Sequence, residues 1–109
     1  MVDLIKNNLE SIKEACKKHK VKTLYLFGSA TDENKFNTQS DVDFLYKIDI
    51  DNFPDWFTGD YDYLDNLLDF ETTLSNILKR KVDLIPDMEI RNPYMRRSVE
   101  KNKQIVYAA

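Results

Sequence analysis

The order of hydrophobic and polar residues alternates between helical and extended patterns along the chain. Apolar residues recur every three or four positions over 2–18 and again over 61–79, which is the spacing of an amphipathic helix. Runs rich in β-branched and aromatic residues at 21–27 and 41–48 instead predict strands. The first two-thirds of the sequence therefore predicts two helices and two strands.

The last third of the chain adds three shorter elements. An apolar run at 82–86 predicts a third strand, and 103–107 predicts a final one. A helix is expected to begin at Asn92-Pro93, because proline is favoured at the first helical position. With no repeat or linker in the sequence, we expect residues 1–109 to form a single domain of the α/β (α+β) class.

Two polar stretches separate these elements. Residues 30–40 are small and polar, and they predict a short helical turn followed by a loop. Residues 49–63 interleave aromatic side chains with aspartates around Pro54 and Gly59, a composition that predicts a long surface loop.

Composition bounds the class of protein. The 109 residues are 42% hydrophobic and 32% charged, which is ordinary for a globular domain. No stretch approaches the roughly 18 apolar residues of a membrane span, and the start lacks a signal-peptide pattern. A single cysteine, Cys16, excludes an internal disulfide. We therefore expect a cytoplasmic protein that does not enter a membrane.

Charge argues against one class of partner. The net charge of −3 and a pI near 5.1 give no reason to expect direct DNA binding. Residues 49–71 carry acids and no Lys or Arg, whereas 79–103 is mainly basic. This uneven distribution of charge is interpreted first as two solvated faces, with a surface that binds a partner as the alternative.

Cysteine and histidine, which often act as nucleophiles or metal ligands, occur once each. Cys16 falls on the apolar stripe of the first predicted helix and is expected in the core. His19 lies in the basic end of that helix and is expected to be a solvated cap.

Three aspartates recur inside predicted strands, where aspartate is normally depleted. Asp41 and Asp43 are two residues apart, so their side chains share one face of a strand, and Lys47 shares it if the strand is regular. Asp83 lies in the third predicted strand. Converging carboxylates are costly unless a cation joins them, and Mg²⁺ prefers such oxygen ligands. Two such ions could stabilise the attacking and leaving oxygens of a phosphoryl or nucleotidyl transfer.

A phosphate site is predicted beside these acids. The first strand closes at Gly28, which permits a tight turn and close backbone approach to a ligand. Backbone N–H groups after such a turn bind phosphate oxygens, and Ser29 would add a hydroxyl donor. The sequence thus predicts a site for a metal-bound nucleoside triphosphate.

These residues carry a resemblance to a known superfamily. The segments 26–29, 40–45 and 82–85 resemble the nucleotidyltransferases related to DNA polymerase beta. The closer similarity is to the minimal nucleotidyltransferases (MNT), whose usual ending is matched by 92–99 and 104–107. The resemblance implies a mixed β-sheet flanked by helices.

The resemblance also implies a role for each residue of the site. Gly28 and Ser29 would hold the triphosphate of ATP. Asp41 and Asp43 would bind both Mg²⁺ ions, and Asp83 would be the third catalytic and metal-binding acid.

One cation of the family pattern is missing. Many relatives carry arginine soon after the Gly-Ser pair, whereas Ala30-Thr31 follow it in this chain. Lys35 and Lys47 are the candidates to neutralise the nucleotide, and Lys47 is the predicted contact because it would share a strand face with the acids.

The biological role implied by the resemblance is that of an antitoxin. Minimal nucleotidyltransferases are commonly paired with a small helical toxin of the HEPN type and transfer AMP from ATP to a tyrosine hydroxyl of that toxin. Residues 49–63 and the basic tail would be docking surfaces, and a homo-oligomer is also allowed.

One alternative function is that of a binding module that neutralises its partner by docking alone. Another is a small-molecule nucleotidyltransferase, which is weaker because the chain has no room for an extra substrate domain.

Overall fold

The computed structural model describes residues 1–37, 39–48, 63–87 and 93–109. The loop predicted at 49–63 lies outside the described residues, except that a helix begins at Tyr63. None of the helices in the described ranges is long and apolar enough to cross a bilayer. In chain order the elements are α1 (Asp3–Asn7), α2 (Leu9–Lys18), β1 (Val21–Phe27), a 3-10 helix (Gly28–Thr31), β2 (Val42–Ile48), α3 (Tyr63–Leu78), β3 (Val82–Pro86), α4 (Pro93–Asn102) and β4 (Gln104–Ala108).

The four strands form one mixed sheet in the order β3-β2-β1-β4. Strand β1 is antiparallel to both β2 and β4, whereas β2 and β3 run parallel. Parallel neighbours cannot be joined by a tight turn, and here α3 lies in the connection between them. The predicted fold class, a mixed sheet with helices, is confirmed.

The two faces of the sheet differ in what they bury. Val42, Phe44 and Tyr46 of β2 point to one face and pack in the main core with side chains such as Phe70 of α3. Leu45 lies on the opposite face in a second, smaller cluster, whose other members are Phe27, Tyr25 and Ile85. Alternation along β2 is therefore as predicted, with an apolar patch beside its acidic end.

The register of β2 and β3 places two aspartates side by side. Val42 pairs with Val82, and Asp43 pairs with Asp83 at the next position. Both valines are fully buried in the main core. Because successive side chains point to opposite faces, both aspartates must face the other side of the sheet.

The first helix is interrupted, so the prediction of one helix over 2–18 is wrong. The α1 helix ends at Asn7, and α2 begins at Leu9. Between them Asn8 leaves the helical conformation, at φ −114° and ψ 12°. Its side-chain Nδ2 donates a 2.8 Å hydrogen bond to the carbonyl of Leu4. Asparagine side chains compete in this way for backbone groups and so weaken helix interiors.

His19 is buried rather than a solvated cap, which corrects a second prediction. Its side chain is 3% exposed, its Nδ1–H donates to the carbonyl of Ala15 at 2.8 Å, and its ring lies 5.4 Å from that of Phe70. Asn66 of α3 donates a 2.7 Å hydrogen bond from Nδ2 to the carbonyl of His19. Cys16 is confirmed as a core residue, and burial raises the pKa of its thiol to about 12.

We expect Asn66→Ala to destabilise the protein by about 1–3 kcal/mol, because it leaves the buried His19 carbonyl without its donor. Urea denaturation followed by circular dichroism measures this change. Thr72→Ala, at an exposed position of the same helix, is the control and should change stability by less than about 0.5 kcal/mol. Equal stability of the two variants would contradict the proposed link between α3 and the end of α2.

Candidate active site

The structure brings Asp41, Asp43 and Asp83 together at one edge of the sheet. Asp41 immediately precedes β2, and the carboxyl groups of Asp43 and Asp83 share a hydrogen bond. The Nζ atom of Lys81 lies 3.9 Å from Oδ2 of Asp41 and 4.0 Å from Oδ1 of Asp83. A cation can thus approach Asp41 and Asp83 together, with Asp43 beside them.

The crowding of these acids has an electrostatic cost. Partial burial raises the pKa of Asp43 to about 6, with further contributions from the charge of Asp83, their hydrogen bond and the charge of Asp41. The ammonium of Lys81 opposes the rise but does not cancel it. A protonated Asp43 donates its hydrogen to Asp83, which is how two adjacent carboxyl groups avoid full repulsion.

Two basic residues that the sequence analysis missed, Arg80 and Lys81, contact this acidic end of the sheet. Lys81 has a side chain that is 70% exposed and precedes Asp83 by two residues, a spacing that could have suggested the contact. Arg80 donates from Nη1 to the carbonyls of Asn37 (3.1 Å) and Ser40 (2.8 Å), so it holds the loop that leads into Asp41.

The donor set suits a hard divalent cation. In the described part of the chain, no three acidic, histidine or cysteine side chains are placed so that they could hold a metal ion together. Mg²⁺ does not require three, since it usually takes one or two carboxylates and completes its shell with waters and phosphate oxygens. Lys81 already brings a positive charge to Asp41 and Asp83, so the carboxylates fit a cation at this position.

Gly28 lies directly against the acidic site. Phe27, the last residue of β1, pairs with Asp43, and the chain then turns at Gly28 with φ +75°. A Cβ atom at Gly28 would lie 2.7 Å from Oδ2 of Asp43, closer than real contacts allow. The turn continues into the 3-10 helix, in which the Thr31 hydroxyl donates to the Gly28 carbonyl at 2.7 Å. Glycine therefore meets two requirements here, the left-handed conformation and the close approach.

A cavity of about 800 Å³ opens beside Gly28 and Ser29. One wall comes from residues within 27–35, and the other from residues 101–104 at the junction of α4 and β4. Its lining includes three lysines, Lys35, Lys101 and Lys103. A basic cavity next to carboxylates can hold the phosphates of a nucleotide while its metal ions contact the acids.

Lys47 does not line this cavity. It is exposed on the same face of β2 as Asp43, four residues further on, or about 13 Å along an extended strand. Lys35, the other candidate from the sequence, does line the cavity. Lys101 and Lys103 were missed because nothing local in the sequence shows that the α4–β4 junction returns to Gly28.

Comparison with known protein families assigns most of the chain. The family described as "Polymerase beta, Nucleotidyltransferase" matches residues 10–109. The chain belongs to this family. A relative from Methanocaldococcus jannaschii, named "Putative protein adenylyltransferase MJ1379", is 35% identical over 102 residues, covering 86% of this chain and 93% of the relative. A second from that organism, "Putative protein adenylyltransferase MJ1217", is 36% identical over 107 residues, with the same coverage. The family identity makes the chain a nucleotidyltransferase.

Solved structures share the fold. One described as "Structure of putative minimal nucleotidyltransferase" matches with a TM-score of 0.69 at 19% identity, covering 94% of this chain and 95% of that one. Another, "tri-AMPylated Shewanella oneidensis HEPN toxin in complex with MNT antitoxin", matches with a TM-score of 0.58 at 16% identity, covering 95% and 72%. The expected minimal nucleotidyltransferase fold is thus confirmed.

We expect Asp43→Asn to stabilise the metal-free protein at about pH 7. Between pH 3.8 and about 6, folded protein retains a proton on Asp43 that the unfolded chain has released. Stability is therefore lost as the pH rises through this window, and the full cost remains above it. Because the site is partly exposed and screened, we expect a gain of roughly 1 kcal/mol.

Urea denaturation with a chelator present, at about pH 4 and about pH 7, measures the effect. The gain should be smaller at the lower pH, because Asp43 keeps its proton in the folded protein there and is only partly ionised in the unfolded chain. Asp3→Asn, the same change at an exposed helical position, is the control. A gain from Asp43→Asn that is equal at both pH values would show that charge crowding is not its cause.

We expect Gly28→Ala to cost about 1–2 kcal/mol from the left-handed backbone alone, plus the clash of its methyl group with Asp43. The two parts can be separated by a double-mutant cycle with Asp43→Ala. Thermal denaturation of the four proteins should give a smaller cost for Gly28→Ala when Asp43 is already truncated. Strict additivity would mean that the close approach of residues 28 and 43 carries no energy.

Proposed function

We propose that this protein transfers AMP from ATP to a tyrosine hydroxyl of a HEPN-type toxin, with Mg²⁺, and thereby acts as its antitoxin. The observation that carries the proposal is the pairing of Asp43 with Asp83 directly beside the Gly28 turn. Relatives named as protein adenylyltransferases support the protein substrate. Structural neighbours that contain a HEPN toxin, or AMP-PNP in a toxin-antitoxin complex, support the partner and the nucleotide.

The three carboxylates would hold the metal ions in this proposal. Asp41 and Asp43 would bind the two Mg²⁺ ions, and Asp83 would be the third metal-binding acid. When bound, Mg²⁺ offsets the charge of the phosphate oxygens and favours ionisation of the acceptor hydroxyl. The residues of the chain orient the substrates and receive the proton.

The transfer is a single displacement at the α-phosphorus. The tyrosine oxygen forms a bond to that phosphorus, while the bond from phosphorus to the oxygen bridging to the β-phosphate breaks. Pyrophosphate leaves with the electron pair of that bond, and the hydroxyl proton passes to Asp83. Backbone N–H groups of the Gly28–Ser29 turn, together with the Ser29 hydroxyl, hold the phosphates in line.

The surroundings of the reaction follow from the same reasoning. We propose that the protein acts in the cytoplasm, where ATP and Mg²⁺ are supplied. With a net charge of −3, it would recognise a protein rather than DNA. Lys47, exposed on the carboxylate face of β2, would contact a part of the nucleotide that lies away from Gly28.

We expect Asp41→Asn and Asp43→Asn each to reduce AMP transfer by at least about a hundredfold, because each removes a ligand of both metal ions. The measurement uses purified protein, ATP labelled at the α-phosphate, Mg²⁺ and, as acceptor, a HEPN-type protein from the same organism. Mass spectrometry of that partner locates and counts the added AMP units. Circular dichroism checks that the variants remain folded.

Glu14→Gln, an exposed carboxylate of α2 far along the chain from the site, is the matched control and should transfer AMP at the wild-type rate. If the aspartate variants neutralise the toxin as well as wild type does, docking alone accounts for neutralisation. If wild type leaves the partner unmodified but labels a small molecule, the protein substrate is wrong.

A further inference from the structure

One wall of the cavity beside Gly28 is formed by a segment that contains none of the site residues predicted from the sequence. Strand β4 pairs with β1 on the side away from β2, and Gln104 lies opposite Leu26 in that pairing. The α4–β4 junction, residues 101–104, therefore lies across the cavity from Gly28 and Ser29. Chemistry at this junction can reach whatever ligand the Gly28 turn binds.

The cavity is positively charged within an acidic chain. Lys35 comes from the loop after the 3-10 helix, and Lys101 and Lys103 come from the junction. Asp32 is the one acid among the lining residues that the structure describes, and its Oδ1 accepts a hydrogen bond from the Asn34 N–H at 2.9 Å. The chain carries a net charge of −3, so this local excess of cations is a specific feature of the cavity.

The three lysines differ in how firmly they are held. The Nζ of Lys103 lies 2.8 Å from a carboxylate oxygen of Glu100 and 4.1 Å from the ring centre of Tyr25, and its side chain is only 18% exposed. Lys35 and Lys101 are exposed, and within the described ranges no ion pair or side-chain hydrogen bond engages them. These two ammonium groups are available to a ligand.

Charge changes sign along the edge of the sheet. Asp83 and Asp43 lie on the β3–β2 side of Gly28, whereas Lys101 and Lys103 lie on its β4 side and Lys35 lies on the facing wall of the cavity. A triphosphate whose α-phosphate faces the carboxylates, through its metal ions, would extend past Gly28 toward the lysines. The β- and γ-phosphates carry most of its negative charge, and lysine is a flexible point charge suited to phosphate.

We propose that Lys35 and Lys101 bind the β- and γ-phosphates of the nucleotide from opposite walls of the cavity. The inference rests on the proposed function, since it identifies the leaving group as the pyrophosphate of that transfer. The two ammonium groups would stabilise the negative charge that pyrophosphate gains when the bond to the α-phosphorus breaks.

The test compares nucleotides that differ only in phosphate number. Isothermal titration measures binding of ATP and of AMP to the full chain with Mg²⁺ and no acceptor protein. Lys35→Met and Lys101→Met retain most of the aliphatic stem and remove the charge. We expect each to weaken ATP binding about fivefold, and the double variant about 25-fold, with AMP binding changed by less than about twofold. Pyrophosphate should also become a weaker competitor of ATP.

Lys18→Met, an exposed lysine at the end of α2, is the control for net charge and should bind ATP as wild type does. Unchanged ATP affinity in the double variant would overturn the inference and leave the proposed function standing. An equal loss of affinity for ATP and for AMP would also overturn it, because that result would indicate a general electrostatic attraction rather than contacts with the β- and γ-phosphates. A wild-type chain that binds no ATP would overturn both proposals.

Discussion

The parallel register of β2 and β3 holds Asp43 beside Asp83, and the rest of the site is arranged around that pair. The two carboxylates repel each other in this arrangement, and this repulsion contributes to the raised pKa of Asp43. Burial of Val42 and Val82 on the opposite face enforces it, because a one-residue slip of either strand would turn its aspartate into the core and its valine out of the core. Hydrophobic packing on one face thus maintains an unfavourable electrostatic contact on the other.

Gly28 joins the two halves of the site through a single backbone position. Its positive φ ends β1 in a turn, and its missing side chain lets the turn approach Asp43. A phosphate held by the turn, as proposed, would therefore lie next to the carboxylates. The Thr31 hydroxyl, bonded to the Gly28 carbonyl, fixes the start of the 3-10 helix and so limits the freedom of the turn.

The separation of charge across the sheet edge suits a substrate that carries both metal ions and a highly charged leaving group. Acids gather on β2 and β3, and lysines gather beyond β1. Arg80 and Lys81, just before β3, support the acidic side by holding the loop before Asp41 and by partly neutralising it. Under the proposed function, each side of Gly28 would contact one part of a metal–nucleotide complex.

The sequence by itself determined the strands, their alternation and the candidate acids, because these depend on local periodicity and on where aspartate interrupts it. Tertiary structure alone decided the burial of His19 beneath α3 and the separation of Lys47 from the cavity. It also brought Lys101 to the Gly28 turn. Periodicity describes neighbours along the chain, whereas these features arise from contacts between segments that only folding brings together.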